Sequence, residues 1–198
     1  MCDMPTTLLY WILVGSESAS VRVMKSLSEF IENRMRLKIN KEKSQIIRPY
    51  QLSFLGHSIL KDGSLGLSLN SEQRFKAKLK QLTNRNRGIS FEHLIRELRP
   101  ILRGWLNYFK YAKMRNRLSR IESWLRRRLR CYRLKQCKRA LGIARFLMKL
   151  GVPRNRSWTT AGSSKGWFRL SMTHAAHEGM NLEWFKEMGL YSLTANYG

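Results

Sequence analysis

The sequence predicts an α+β fold that is mostly α-helical, with a short mixed part at 1–69 and a helical part at 70–150. Two observations predict it. Apolar residues in the first part form short runs bounded by turn residues, whereas after Asn70 they recur every three or four positions. The less regular residues 151–198 predict a C-terminal segment. A chain of 198 residues that is 43% hydrophobic can bury a core in such a fold.

The mixed part predicts strands around a single helix. Apolar residues at helical spacing predict an amphipathic helix over 18–37, and the apolar run 8–14 predicts a buried strand. The runs "LKIN" and "SQIIRP" predict two short strands on either side of a turn at 41–42. An Asp-Gly turn between apolar runs predicts a hairpin that pairs 52–60 with 65–69.

The helical part predicts several packed helices. Phe75, Leu79 and Leu82 lie at helical spacing, and Ser90 is a good cap for the next helix. Pro100 predicts that this helix ends and a new one begins, because proline suits the first turn of a helix and disrupts its interior. A third helix is predicted from the spacing of Leu118, Ile121, Leu125, Leu129 and Tyr132. In the tail, the sequence predicts a polar loop at 153–166, a short strand at 167–171, and a short helix in 181–190 that ends at Gly189.

The charge of the chain is strongly unbalanced. The formal net charge is +25. Such a charge destabilises a fold by self-repulsion unless an anionic partner relieves it, and nucleic acid and an acidic membrane surface are the obvious polyanions. Between Arg99 and Arg139 there are 15 Lys or Arg residues and one acid, Glu122. This concentration predicts a binding face for nucleic acid.

The predicted third helix carries much of this charge. If it buries its apolar stripe, its arginines must lie on the other sides, where guanidinium groups can bind phosphates in a bidentate manner. The candidate RNA-binding residues are Arg103, Lys110, Arg115, Arg117, Arg120, Arg126, Arg127, Arg130, Arg133, Lys135, Lys138 and Arg139. The neighbouring aromatic residues Trp105, Tyr108, Phe109 and Trp124 are each predicted to be core residues, and the alternative is that exposed ones among them stack on unpaired bases.

Motifs for catalysis are missing from the sequence. It has no convincing carboxylate pair, no Gly-rich phosphate loop and no G-x-S-x-G or H-E-x-x-H motif, so neither catalytic residues nor a cofactor is predicted. His174 and His177 have no Cys or acidic partner at zinc-like spacing, so no metal site is predicted. Three cysteines without a C-x-x-C pair favour a cytoplasmic protein, and no apolar run is long enough to predict a membrane segment.

The segment "LRGWLNYFKYAKMRNRLSRIESWLRRRLRCYRLKQCKR" resembles the core of the maturase-specific domain, also called domain X or the thumb, of group II intron-encoded reverse transcriptases. The similarity lies in R-G-W-x-N-Y-F, W-x-R-R-R-L-R and K-x-x-K-R. Upstream, "LKINKEKSQII" and "SFLGHSIL" resemble the end of the palm of that family, and "KGWFRLSMTHAAHEGMNLEWFKEMGLYSL" resembles its closing segment. The resemblance implies a palm remnant with a hairpin at 1–69, then a helical thumb and domain X.

The resemblance further implies an RNA-binding protein that helps the intron RNA to fold for splicing and mobility. It implies group II intron RNA as the partner, and a DNA target or a separate reverse-transcriptase palm chain as further partners. The sequence departs from the family where "CDMPTTLLYW" replaces Y-A-D-D-F, whose Asp pair holds the polymerisation metals. We therefore expect no DNA synthesis. A shifted reading frame over about the first ten residues explains this departure as a hypothesis.

Other interpretations remain open at this stage. The chain is expected to be truncated, since the fingers and most of the palm are missing from it. A non-functional remnant of a degenerate retroelement would carry the same motifs. A general nucleic-acid-binding protein would instead bind duplex DNA and intron RNA with similar affinity.

Overall fold

The computed structural model describes residues 12–40 and 44–198. The chain divides into two compact units, one ending at Leu52 and the other beginning at Ser53. We call them the N-terminal unit and the helical unit. The helical unit thus includes the hairpin region as well as the helices that follow it. The domain boundaries predicted after residues 69 and 150 stay predictions.

The N-terminal unit contains α1 (Glu17–Glu29), which a π-helical turn continues to Arg34. Ser16 caps α1, because its hydroxyl accepts a hydrogen bond from the Ala19 amide at 3.2 Å. The predicted helix is therefore confirmed in place. A short 3₁₀ turn follows at Pro49–Gln51.

The strands predicted for the N-terminal unit are not found in its described residues. Residues 12–14, 37–40 and 44–48 have no regular structure, while residues 8–11 and the turn at 41–42 lie outside the described residues. The Ser44 amide donates to the Asn40 carbonyl at 3.0 Å. A short apolar run forms a strand only when a neighbouring strand completes its hydrogen bonds.

The helical unit begins with a three-stranded antiparallel sheet in the order β1-β2-β3. Its strands are β1 (Ser53–Phe54), β2 (His57–Ile59) and β3 (Leu65–Leu67). The predicted Asp-Gly hairpin is confirmed as the β2–β3 pair. The segment 52–60 is two strands rather than one, because Leu55 (φ 49°) and Gly56 (φ 81°) form a two-residue turn between them.

Eight helices are described after the sheet: α2 (Leu69–Leu82), α3 (Phe91–Phe109), α4 (Arg115–Gln136), α5 (Ala140–Lys149), α6 (Arg154–Ala161), α7 (Trp167–Leu170), α8 (His174–Gly179) and α9 (Leu182–Glu187). This architecture confirms the α+β, mostly α fold. The hydroxyls of Ser68 and Ser90 cap α2 and α3, as the sequence predicts for Ser90.

Three expectations about the helices are wrong. Pro100 lies inside α3, which runs unbroken because Leu98 and Leu102 on either side are fully buried. Burying two leucines yields about 3–6 kcal/mol, enough to outweigh the roughly 3 kcal/mol that an interior proline costs. The predicted loop at 153–166 contains α6, and the predicted strand at 167–171 is the helical turn α7. The short helix that ends before Gly189 (φ 82°) is confirmed.

The core of the helical unit surrounds α4. Leu118, Ile121, Leu125 and Leu129 are at most 1% exposed and belong to one apolar cluster that reaches from β3 to the C-terminal segment. From residue 129 to 132 every residue of α4 is buried. The predicted apolar stripe is therefore confirmed, but the second half of this helix is enclosed on more than one side.

Candidate nucleic-acid interface

The exposed cations of the predicted set lie around the start of α4 and the end of α3. Arg103 and Lys110 are exposed near the C-terminal end of α3, and Arg115 and Arg120 are exposed on the first turns of α4. Met114 precedes α4 without a side-chain cap, and the first turn contains no acid. This end of the helix therefore presents amide groups and cations together, which favours anionic ligands.

Arg117 and Arg128 form hydrogen bonds within the protein. Arg117 donates to the Leu67 carbonyl, and its Nε lies 3.7 Å from a Glu72 carboxylate oxygen. Arg128, which the candidate set leaves out, donates from Nε to the Thr83 hydroxyl at 2.6 Å and from Nη2 to the Lys80 carbonyl at 3.0 Å. These bonds tie α4 to β3 and to the end of α2.

Arg130 contradicts the expectation that it faces outward. Only 6% of it is exposed, and its Nε and Nη2 donate to the Met180 carbonyl at 3.1 and 3.0 Å. Its guanidinium carbon lies 5.5 Å from the centre of the Phe185 ring. Burial, together with the nearby charges of Arg126 and Arg127, lowers its pKa to about 10, so it stays charged at neutral pH. Arg130 satisfies the carbonyl at the end of α8.

Arg126 and Arg127 are half-buried and have internal contacts as well. The Nη1 atom of Arg126 lies 3.2 Å from Oε1 of Glu122, and the guanidinium carbon of Arg127 lies 5.3 Å from the centre of the Phe168 ring. Glu122 itself is buried and accepts hydrogen bonds from the hydroxyls of Ser192 at 2.8 Å and Thr194 at 2.6 Å. The lone acid of this segment thus joins α4 to the C-terminal segment.

The last predicted cations surround the end of α4. The guanidinium carbon of Arg133 lies 4.4 Å from the centre of the Phe146 ring, and Lys135 donates a hydrogen bond to the Asn86 side chain. Lys138, with a φ of 58°, and Arg139 are exposed in the link to α5. These two residues, with the two near the end of α3 and the two at the start of α4, are the predicted site residues that face solvent most openly.

The aromatic residues divide into two groups. Phe109 is buried, and Trp105 is half-buried and stacks on Phe75 with ring centres 4.0 Å apart. Trp124 is also half-buried and packs against the core. Tyr108 is 54% exposed, so the expectation that it is a core residue is wrong. Its hydroxyl donates to the Leu55 carbonyl at 3.0 Å and holds the β1–β2 turn against α3.

The structure adds cations that the predicted set lacks. Lys80 and Arg85, at the end of α2, line a cleft of about 300 Å³ together with Trp124, Arg127 and Phe168. The alternation of basic and apolar residues in "RFKAKLKQLTNRNR" carries the signal, because a helix that buries Phe75 and Leu79 must expose the lysines between them. The sequence analysis did not include these cations because the charge is most concentrated after Arg99.

The described residues contain no cluster of three or more His, Cys, Asp or Glu side chains that could hold a metal ion. His174 instead lies beside Arg156 and Glu178, with 3.5 Å between its Nδ1 and a Glu178 oxygen. Within the part of the chain that the structure describes, no helix combines the length and apolar character needed to cross a bilayer.

The fold and the surface define a helical domain built around one arginine-rich helix, with exposed cations at both ends of that helix. Residues 72–151, from the first turn of α2 through α5, match the family model described as group II intron, maturase-specific domain. Residues 72–151 therefore form a domain of the group II intron maturase type, as the resemblance implies. No curated protein matches the chain. The domain indicates a role in group II intron splicing and mobility.

Proposed function

We propose that this chain binds group II intron RNA through the exposed cations of its helical unit and so assists splicing and mobility, without a polymerase active site of its own. One observation carries the proposal. The segment that matches the maturase-specific domain, 72–151, also contains the exposed cations at the ends of α4 and α2. These are the positions where phosphates would meet unshielded positive charge.

The excess of cations supports a polyanionic ligand. The chain has 38 Lys and Arg against 13 Asp and Glu, so the cations outnumber the acids by 25. Each cation that contacts a phosphate releases condensed counterions, which favours binding at low salt. A folded RNA supplies closely spaced phosphates in a defined shape, and shape is what proteins chiefly recognise in structured RNA.

The test measures binding to a folded group II intron RNA and to duplex DNA of equal length over a range of salt concentrations. We expect tighter binding to the intron RNA at moderate salt. Equal affinity for both would favour the general nucleic-acid-binding protein. A chain that is unfolded in solution, or that binds neither, would favour the degenerate remnant. A primer-extension assay should give no product above background.

A double variant tests where the RNA lies. The slope of log K against log salt is negative, and Arg115→Gln with Arg120→Gln should make it less steep by about 1.4–1.8. Each lost phosphate contact reduces its magnitude by about 0.7–0.9. The matched control replaces two exposed cations of α1, Arg22→Gln with Lys25→Gln. It removes the same charge from the other unit. A slope of the Arg115→Gln/Arg120→Gln variant equal to that of wild type would exclude the start of α4 from the interface.

A further inference from the structure

The cleft between α2, α4 and α7 has a chemistry that the general cationic surface lacks. Its volume is about 300 Å³, and its lining includes Lys80, Arg85, Trp124, Arg127 and Phe168. None of the described residues that line it is acidic. It therefore combines flat apolar surfaces with uncompensated positive charge in one small space.

The aromatic walls of the cleft are braced by arginines. Phe168 is 55% exposed, and the Arg127 guanidinium lies 5.3 Å from its ring centre. Arg128 lies 5.3 Å from the Trp124 ring centre and is itself fixed by its hydrogen bonds to Thr83. A guanidinium near an aromatic ring holds the ring in place and leaves its remaining surface open for stacking.

Lys80 and Arg85 supply the charge at the other side of the cleft. Both are exposed side chains at and just after the C-terminal end of α2. Asn84, between them in the lining, adds an amide that can donate and accept hydrogen bonds. A ligand that satisfies this lining needs a planar ring, hydrogen-bonding edges and an attached anion.

We propose that the cleft takes one unpaired nucleotide of the bound RNA, its base stacked on Phe168 and its phosphate between Lys80 and Arg85. This inference rests on the proposed RNA binding and adds the kind of RNA element that is recognised. A paired base hides both of its faces in the duplex, whereas an unpaired base can stack on an aromatic side chain. The size of the cleft suits a single nucleotide, since pockets for small molecules begin at about 300 Å³.

The test compares two single-stranded probes of eight nucleotides, oligoadenylate and the abasic ribose-phosphate strand of the same length. Wild-type protein should bind oligoadenylate about fivefold or more tightly, the lower end of what one base–aromatic stack contributes. Phe168→Leu should remove most of this difference and leave the affinity for the abasic strand unchanged. Lys80→Gln should weaken binding to both probes, because both carry the phosphates.

The matched control is Phe30→Leu in the N-terminal unit. Phe30 is 47% exposed, and the Arg34 guanidinium lies 5.8 Å from its ring centre, so the same substitution removes the same chemistry outside the cleft. It should leave both affinities unchanged. Thermal unfolding of each variant, followed by circular dichroism, confirms that the fold is kept.

The outcomes separate this inference from the proposed function. If wild-type protein binds the intron RNA but does not distinguish the two probes, the cleft does not take a base while RNA binding stands. If Phe30→Leu loses as much discrimination as Phe168→Leu, exposed aromatics in general are responsible and the inference fails. If wild-type protein binds neither the intron RNA nor the probes, both proposals fail together.

Discussion

Arg127 and Arg130 lie three residues apart on α4, and the structure assigns them different tasks. The Arg130 guanidinium donates two hydrogen bonds to the Met180 carbonyl, at 3.1 and 3.0 Å, and only 6% of the residue is exposed. Arg127 is half-buried beside Phe168 in the cleft. Replacing Arg130 should therefore change stability, whereas replacing Arg127 should change RNA binding.

The magnitude for Arg130→Met follows from these contacts. A hydrogen bond from a charged donor contributes about 1.5–3 kcal/mol, and the Met180 carbonyl would stay buried without this partner. Methionine keeps the apolar stem beside Phe185 and avoids burying a charge, which offsets part of the loss. We expect a net decrease of about 2–3 kcal/mol in the free energy of unfolding. Arg130→Lys should lie between wild type and Arg130→Met.

The assay is urea unfolding followed by circular dichroism, paired with RNA binding of the folded protein at several salt concentrations. Arg130→Met should lower the urea midpoint and leave the salt slope unchanged. Arg127→Gln should weaken RNA binding with little effect on the midpoint, because it removes the cation beside Phe168 in the cleft. A stable Arg130→Met protein with a reduced slope would refute the reasoning, because it would mean that Arg130 turns outward to bind RNA.

Three further predictions concern stability. Glu122→Gln should lower the free energy of unfolding by about 1.5–3 kcal/mol in urea, because it weakens the buried hydrogen bonds to the C-terminal segment; an unchanged midpoint would contradict this. Gly142→Ala should lower the melting temperature, because a methyl group there would lie 2.3 Å from the Cys137 carbonyl oxygen; a raised one, as helix propensity alone predicts, would contradict it. A hydrogen bond from Arg87 lowers the pKa of Glu97 below 4.5, so its stabilisation is present above that pH and is lost as the pH falls through the lowered value. The stability gap between wild type and Glu97→Gln should therefore narrow in thermal scans as the pH falls below the usual pKa of a glutamate carboxyl. A constant gap would exclude this carboxylate as a source of stability.

The sequence predicts the features that depend on local spacing. The stripe of Leu118, Ile121, Leu125 and Leu129 identifies α4, because helical spacing places these residues on one face whatever surrounds them. The Asp-Gly hairpin is predicted for a similar reason, since its turn chemistry lies within four residues. Both signals are complete within one short stretch of chain.

The sequence does not predict features that depend on distant contacts. The burial of Arg130 depends on a carbonyl that lies 50 residues further along the chain, and periodicity contains no information about that partner. The unbroken helix through Pro100 likewise depends on tertiary packing, which overrides the local preference of proline. The cleft at Phe168 was missed because the tail was predicted to be a strand there.

The charge of α4 overstates the charge that the helix offers to a ligand. Arg117, Arg128 and Arg130 donate hydrogen bonds to carbonyl and hydroxyl oxygens of other elements. Arg126 forms an ion pair with Glu122. A buried guanidinium must leave these partners before it can neutralise a phosphate. Each buried acceptor that is left without a hydrogen bond costs about 1–3 kcal/mol. The arginine-rich middle of the helix therefore holds the domain together. We expect RNA contacts to concentrate at the two ends of α4 and at the neighbouring cleft, where cations remain exposed.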